Sequence, residues 1–136
     1  MTLQLSVAAR NRYLDAIFDT ELGASPVLKI RTGSVPANVA TADAGTVLAT
    51  LNLPATPFAA AASGSKAKSG TWEDASADNP GTAAHWRLYK TDGTTCVAQG
   101  TVTATGGGGD LTVDNVVFAA AQAFTVTGYT LTAGNA

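Results

Sequence analysis

Acid–base chemistry in this chain would have to run through His85, the single histidine, and acids within reach of it in sequence, Glu73, Asp74 and Asp78. An imidazole paired with a carboxylate is a common device for moving protons near neutral pH. The surrounding residues do not complete such a device. No Gly-x-Ser-x-Gly turn is present to present a serine nucleophile, and Cys96 has no second histidine to orient its thiol. One histidine also supplies too few nitrogen ligands for an ordinary zinc site. The expectation is an exposed histidine on a sheet, and a buried apolar thiol at Cys96. A single cysteine allows neither an intrachain disulfide nor a thiolate metal cluster.

Four consecutive glycines, Gly106, Gly107, Gly108 and Gly109, precede Asp110 in the stretch TATGGGGDLTV. A phosphate-cradling loop needs a lysine and a following helix to supply the positive field. Here an aspartate and a strand-like run follow instead, so the glycines predict a flexible hairpin loop, open to packing by a partner. Asp110, Asp114 and Asn115, or Asp74 and Asp78, could hold calcium through oxygen ligands, but neither group has the EF-hand spacing. Trp72, Trp86, Tyr89 and Tyr129 could form a sugar-stacking platform. Aromatic side chains in a β-domain more often fill the core, and that is the expectation here. Lys66 and Lys68, in a Ser/Gly-rich stretch, predict a solvated loop.

The elements that must position these residues follow from periodicity. Ser6 can cap a helix running to about Leu22, with Gly23 as its stop. Val7, Leu14, Ile17, Phe18 and Leu22 share one stripe, which must bury against a sheet or a neighbouring subunit. Residues 27–32 alternate, with Leu28 and Ile30 on one face and Lys29 and Arg31 on the other, as in a half-buried strand. Residues 35–45 read as a loop and 46–53 as a second strand, ended by Pro54 and Pro57. Residues 58–69 read as irregular or as an edge strand. Residues 84–90 alternate again, with Trp86 and Leu88 opposite His85, Arg87 and Tyr89. Thr91-Asp92-Gly93-Thr94 is a hairpin turn leading to a return strand over 96–104. Strands over 111–118 and 124–132 complete the pattern, the last with a bulge at Gly128. The turn spacing predicts a mainly β fold, an antiparallel β-sandwich or jelly-roll-like barrel with one N-terminal amphipathic α-helix. We read a single domain over 1–136, with an arm and helix over 1–23 and a β-rich body over 26–136.

Composition narrows the function classes. The chain has 136 residues and a net charge of −2, and it shows no basic stripe, so nucleic acid is not an expected partner. No apolar run is long enough to span a membrane, and no leader pattern opens the chain, so the expectation is a protein made and folded in a cytoplasm. Charged residues are 13% of the total, about half the usual share, and Ala and Thr together fill about a third. An under-charged surface of small residues suits a β-domain covered by partners better than a free enzyme.

Three stretches carry a resemblance. They are LSVAARNRYLDAI (residues 5–17), SGTWEDASADNPGTAAHWRLYKTDGTTCVAQGTVTATGGGGDLTVDN (69–115) and FTVTGYTLTAGNA (124–136). In these the chain resembles small bacteriophage virion proteins encoded among head and tail genes. The resemblance implies a non-enzymatic structural protein of the virion, with no cofactor and no catalytic residue to carry over. A capsid decoration (cement) protein is the leading expectation, and a tail or fibre component is the alternative. The partners implied are the major capsid protein or other virion proteins and further copies of the chain, assembled in the host cytoplasm. Interaction residues are expected on the helix stripe, at Val7, Leu14, Ile17 and Phe18, and in the loop Gly106, Gly107, Gly108 and Gly109. A glycan-binding module built on Trp72, Trp86 and Tyr89 and a hydrolase or lyase using His85 and Glu73 are the rivals from other classes.

Overall fold

A computed structural model describes residues 3–134. Met1 and Thr2 of the expected arm, and Asn135 and Ala136 of the third resembling stretch, lie outside the described residues. Ser6 caps the helix as expected: its backbone is extended and its Oγ accepts from the Ala9 amide at 3.1 Å. Helix α1 spans Val7–Asp15 and continues as a π-helical segment, Ala16–Glu21, in which the Leu22 amide donates to the Ile17 carbonyl at 2.9 Å. Gly23, at φ 78°, stops it. The strands are β1 (Val27–Arg31), β2 (Val47–Asn52), β3 (Ser65–Ala67), β4 (Trp72–Asp74), β5 (Gly81–Thr82), β6 (His85–Tyr89), β7 (Cys96–Ala104), β8 (Leu111–Val113), β9 (Val117–Phe118), β10 (Phe124–Val126) and β11 (Thr130–Thr132).

The fold is mainly β, with one N-terminal helix and a curled sheet. The principal sheet has the order β2-β1-β6-β7-β8, and three two-stranded sheets, β10-β4, β11-β3 and β5-β9, accompany it. Registers set its faces. Leu28 opposes Leu51 and Leu88, and Ile30 opposes Ala49 and Trp86, so these six share the inner face. All six are buried. Leu14, Phe18 and Leu22 of the helix join the same hydrophobic cluster. A run of ring contacts connects the two, from Phe18 to Phe58 (5.5 Å), Trp72 (5.2 Å) and Tyr129 (5.9 Å), and on to Trp86 (5.7 Å). Phe18, Phe58, Trp72, Trp86 and Tyr129 are therefore core, and each such pair adds about 0.5–1.5 kcal/mol beyond its buried area.

Three expectations need correction. The strand expected over 124–132 does not carry a bulge. It breaks into β10 and β11, which pair with different partners, β4 and β3. The chain changes sheets between Val126 and Tyr129, which is why the apolar parity flips there. The strand over 111–118 likewise divides into β8 and β9.

The tetraglycine is not a hairpin loop, because β8 pairs with β7 in parallel, with Val102 opposite Leu111 and Ala104 opposite Val113. Parallel neighbours usually need a crossover of a dozen or more residues. Here residues 105–110 suffice, because the chain folds flat against the end of β7. The Gly109 amide donates to Thr103 Oγ1 at 3.0 Å, and the Asp110 carboxylate accepts from the Thr101 amide at 2.8 Å and from Thr101 Oγ1 at 3.0 Å. A Cβ on Gly107 would lie 2.7 Å from Thr103 Cβ, and one on Gly109 would lie 2.9 Å from Thr103 Cγ2. Close approach to Thr103 is what these two glycines permit.

Candidate functional site

Strand alternation puts Lys29, Arg31, His85, Arg87, Tyr89 and Gln99 on the outer face of the principal sheet. Solvent is the default environment for such a face. Instead Arg31, His85, Arg87 and Tyr89 are all buried, because residues 33–45 lie across them. That segment carries one charged residue, Asp43. Its carboxylate accepts from Arg31 Nη2 at 2.8 Å, from Arg87 Nη1 at 2.6 Å and from the Tyr89 hydroxyl at 2.6 Å. Arg87 also donates to the carbonyls of Val39 (2.7 Å) and Thr41 (3.0 Å), and Gln99 Nε2 donates to that of Pro36 (2.7 Å). His85 Nδ1 lies 2.8 Å from the Gly33 carbonyl. A carbonyl only accepts, so Nδ1 carries the proton. The buried Nε2 finds no hydrogen-bond partner among the described residues.

The electrostatics follow from this packing. Burial works to raise the Asp43 carboxyl, but the Tyr89 hydrogen bond and the charges of Arg31, Arg87 and Lys29 outweigh it and hold the group below its ordinary 3.8. Burial lowers the His85 imidazole from its ordinary 6.5, and the neighbouring Arg31 and Arg87 lower it further against the Gly33 carbonyl and Asp43. Burial and the bond to Asp43 push the Tyr89 phenol up to about 12. His85 is thus not the exposed sheet histidine that alternation predicts. Cys96 is not a buried apolar thiol either. It is half-buried, its Sγ accepting from Arg87 Nε at 3.3 Å and donating to the Ala98 carbonyl at 3.3 Å.

A second polar site joins the helix to the hairpin formed by residues 58–68. Lys66, expected in a solvated loop, is fully buried. Its ammonium donates to Asp15 Oδ1 (2.7 Å), Asp19 Oδ2 (2.9 Å) and the Ala59 carbonyl (2.9 Å), which fills all three donor positions. Burial alone would lower this amine, and the two carboxylates reverse that and raise it above its ordinary value. The Asp15 carboxyl is correspondingly lowered, first by the Lys66 bond and then by the Ala61 amide. A charged amine facing ionised acids is an ion-pair clamp and not a nucleophile.

The expected site residues fall in different places. Leu14 and Phe18 are buried in the chain's own core, and Ile17 packs against it half-buried. Leu14 and Phe18 therefore leave no surface for a neighbour, because the sheet takes their side of the helix stripe. Val7 remains exposed, and Leu3, Leu5 and Tyr13 are exposed with it. Gly106, Gly107 and Gly108 are exposed and Gly109 half-buried, between β7 and β8. The structure does not bring His85 and Glu73 together: Glu73 is exposed on β4, paired to Thr125. Asp74 and Asp78 converge on Thr50, through its amide (2.9 Å) and its hydroxyl (2.7 Å). Trp72, Trp86 and Tyr89 are buried, so they offer no sugar platform. Among the described residues, no three of His, Cys, Asp and Glu are grouped to hold a metal ion. Sequence reasoning missed Asp43, Arg31, Arg87 and Lys66. For the first three, the available signal was one acid isolated in an otherwise uncharged segment, with outward arginines on two predicted strands, Arg31 on β1 and Arg87 on β6.

No protein-family model matches the chain, and neither a curated protein nor a solved structure matches it.

Proposed function

We propose that this protein is a non-enzymatic structural component of a tailed-phage virion, acting as a decoration protein that clamps capsid subunits. The observation that carries this reading is the apolar N-terminal segment, where Leu3 (74% exposed), Leu5 (37%) and Val7 (47%) are exposed on a chain with few charges, as is Tyr13 (57%) of the following helix. Apolar residues clustered on one segment mark an interaction surface more than scattered ones do. The resemblance of residues 5–17, 69–115 and 124–136 to virion proteins supports the same reading. So does the inward use of the polar side chains, since Arg31, Arg87 and Lys66 rigidify the domain instead of meeting solvent.

The mechanism is avidity. Many modest contacts, repeated by capsid symmetry among further copies of this chain and the major capsid protein, must open together before any copy is lost. On this reading the principal sheet and the three small sheets form two layers of a distorted sandwich about the aromatic core. A tail or fibre component is the alternative station.

Rebinding tests it. Particles assembled without the protein are mixed with the purified chain and sedimented. The wild type should co-sediment at saturable stoichiometry. A Leu3→Ser, Leu5→Ser, Val7→Ser variant should bind at least about tenfold more weakly, since burying each apolar side chain contributes about 1.5–3 kcal/mol. No saturable binding by the wild type to capsids or tails would overturn the proposal.

A further inference from the structure

The buried histidine suits a different role from catalysis. We propose that His85 is a proton-sensitive latch for residues 33–45, and that protonating its ring releases this segment from the sheet and uncovers the arginine pair beneath. The inference is independent of where the protein works.

His85 is fully buried at the edge of the covered face, where its Nδ1–H holds the Gly33 carbonyl, the first residue of the covering segment. Its charged neighbours are known from each packed element. Arg31 of β1 is its register partner, Arg87 lies two residues on in its own strand, and Asp43 comes from the covering segment. Thr101 of β7 faces it from the other side, and the Thr101 hydroxyl is held by the Asp110 carboxylate. Lys29 and Tyr89 complete the outer face. Two guanidinium groups and one carboxylate thus surround the ring, and that carboxylate is already shared by both arginines and Tyr89.

Adding a proton would place a fourth cation on this face, with Arg31, Arg87 and Lys29, and turn Nε2 into a buried donor with no acceptor among the described residues. The cheapest relief is to let water in by lifting the segment, which is fixed by side chains and not by a strand ladder. Its remaining ties to the outer face are donated by Arg31, Arg87, Tyr89 and Gln99. The direction follows from linkage. The closed state binds the proton less readily than the open one, so closure is complete above the imidazole's ordinary 6.5 and weakens as pH falls below it. Asp43 stays ionised in that range, because its carboxyl is held below 3.8.

Hydrogen–deuterium exchange of the full chain at pH 7.5 and pH 5.0, corrected for intrinsic amide chemistry, tests the latch. Exchange in residues 33–45 should rise several-fold at pH 5.0, while the inner strands β1 and β6 stay protected. The His85→Gln variant, whose amide can still donate to Gly33 but cannot charge, should lose that rise. Unchanged exchange in the wild type, a rise that persists in His85→Gln, or an equal rise across the whole sheet would each overturn the proposal. If His85→Gln does not fold, NMR of the wild type decides. Coincident midpoints for the imidazole and the segment amides support the latch, and separated midpoints refute it.

Discussion

At the scale of single residues, the polar side chains that alternation assigns to solvent are the ones that fix this fold. Among the described residues, Asp43 is the one acid paired with Arg31 and with Arg87. Removing one partner of a buried ionic group usually costs about 3–5 kcal/mol, because a charge is left without compensation. Asp43 is itself 39% exposed, so Asp43→Ala should cost about 3 kcal/mol, the low end, measured by urea unfolding. The clamp at Lys66 makes an asymmetric prediction. Asp15 and Asp19 are 40% and 44% exposed and can rehydrate when the lysine is lost, whereas the lysine cannot when the acids are lost. The double variant Asp15→Asn, Asp19→Asn should therefore be less stable than Lys66→Met in the same urea titration. An equal or reversed order would show that the clamp is not charge-dependent. Acid should act on both sites. The lowered Asp15 and Asp43 carboxyls contribute stability that is complete above 3.8 and is lost as pH falls through their folded values, whereas loss at His85 starts below about 6.5. A stability profile by thermal unfolding should accordingly show two acid steps.

Among the elements, those with strong local signals were legible. The Ser6 cap, the Gly23 stop and the Asp92-Gly93 turn lie where the sequence puts them, the last with Asp92 Oδ1 accepting from the Thr94 and Thr95 amides at 2.8 Å each. Strands β1, β2, β6 and β7 also follow from alternation. What periodicity could not reveal was the second layer of packing on a face that reads as polar. Residues 33–45 look like an exposed loop because Pro36, Asn38 and Asp43 interrupt any alternation, and bonds from Arg31, His85, Arg87, Tyr89 and Gln99 fold them down. The parallel β7–β8 pair was hidden for a similar reason, since four glycines in a row signal a turn but not its direction. Gly45 shows how tightly the covering segment is drawn. Its φ is 73°, and a Cβ there would lie 1.9 Å from the Thr32 carbonyl oxygen. Gly45→Ala should destabilise the protein by about 2 kcal/mol or more, with the strain located at the β1–β2 connection. Gly106→Ala, where a Cβ meets nothing within 4 Å, should cost about 1 kcal/mol, from its positive φ alone. Thermal unfolding of the two variants side by side checks the ranking.

For the whole molecule, the distribution of polarity is the main functional clue. Charges are few, and Arg31, Arg87 and Lys66 are turned inward to bind the covering segment and the helix to the sheet. The apolar residues left outside include Leu3, Leu5, Val7 and Tyr13, grouped on the N-terminal segment and the helix. A rigid body with one apolar contact segment fits a component that works by attachment. On the proposed reading, the most direct measurement is its copy number in purified particles of the phage that would encode it, by quantitative mass spectrometry against the major capsid protein. The account predicts a ratio near one, or a simple fraction set by capsid symmetry. A few copies per particle would move the protein to the tail or fibre, and its absence from the particle would contradict the structural role altogether.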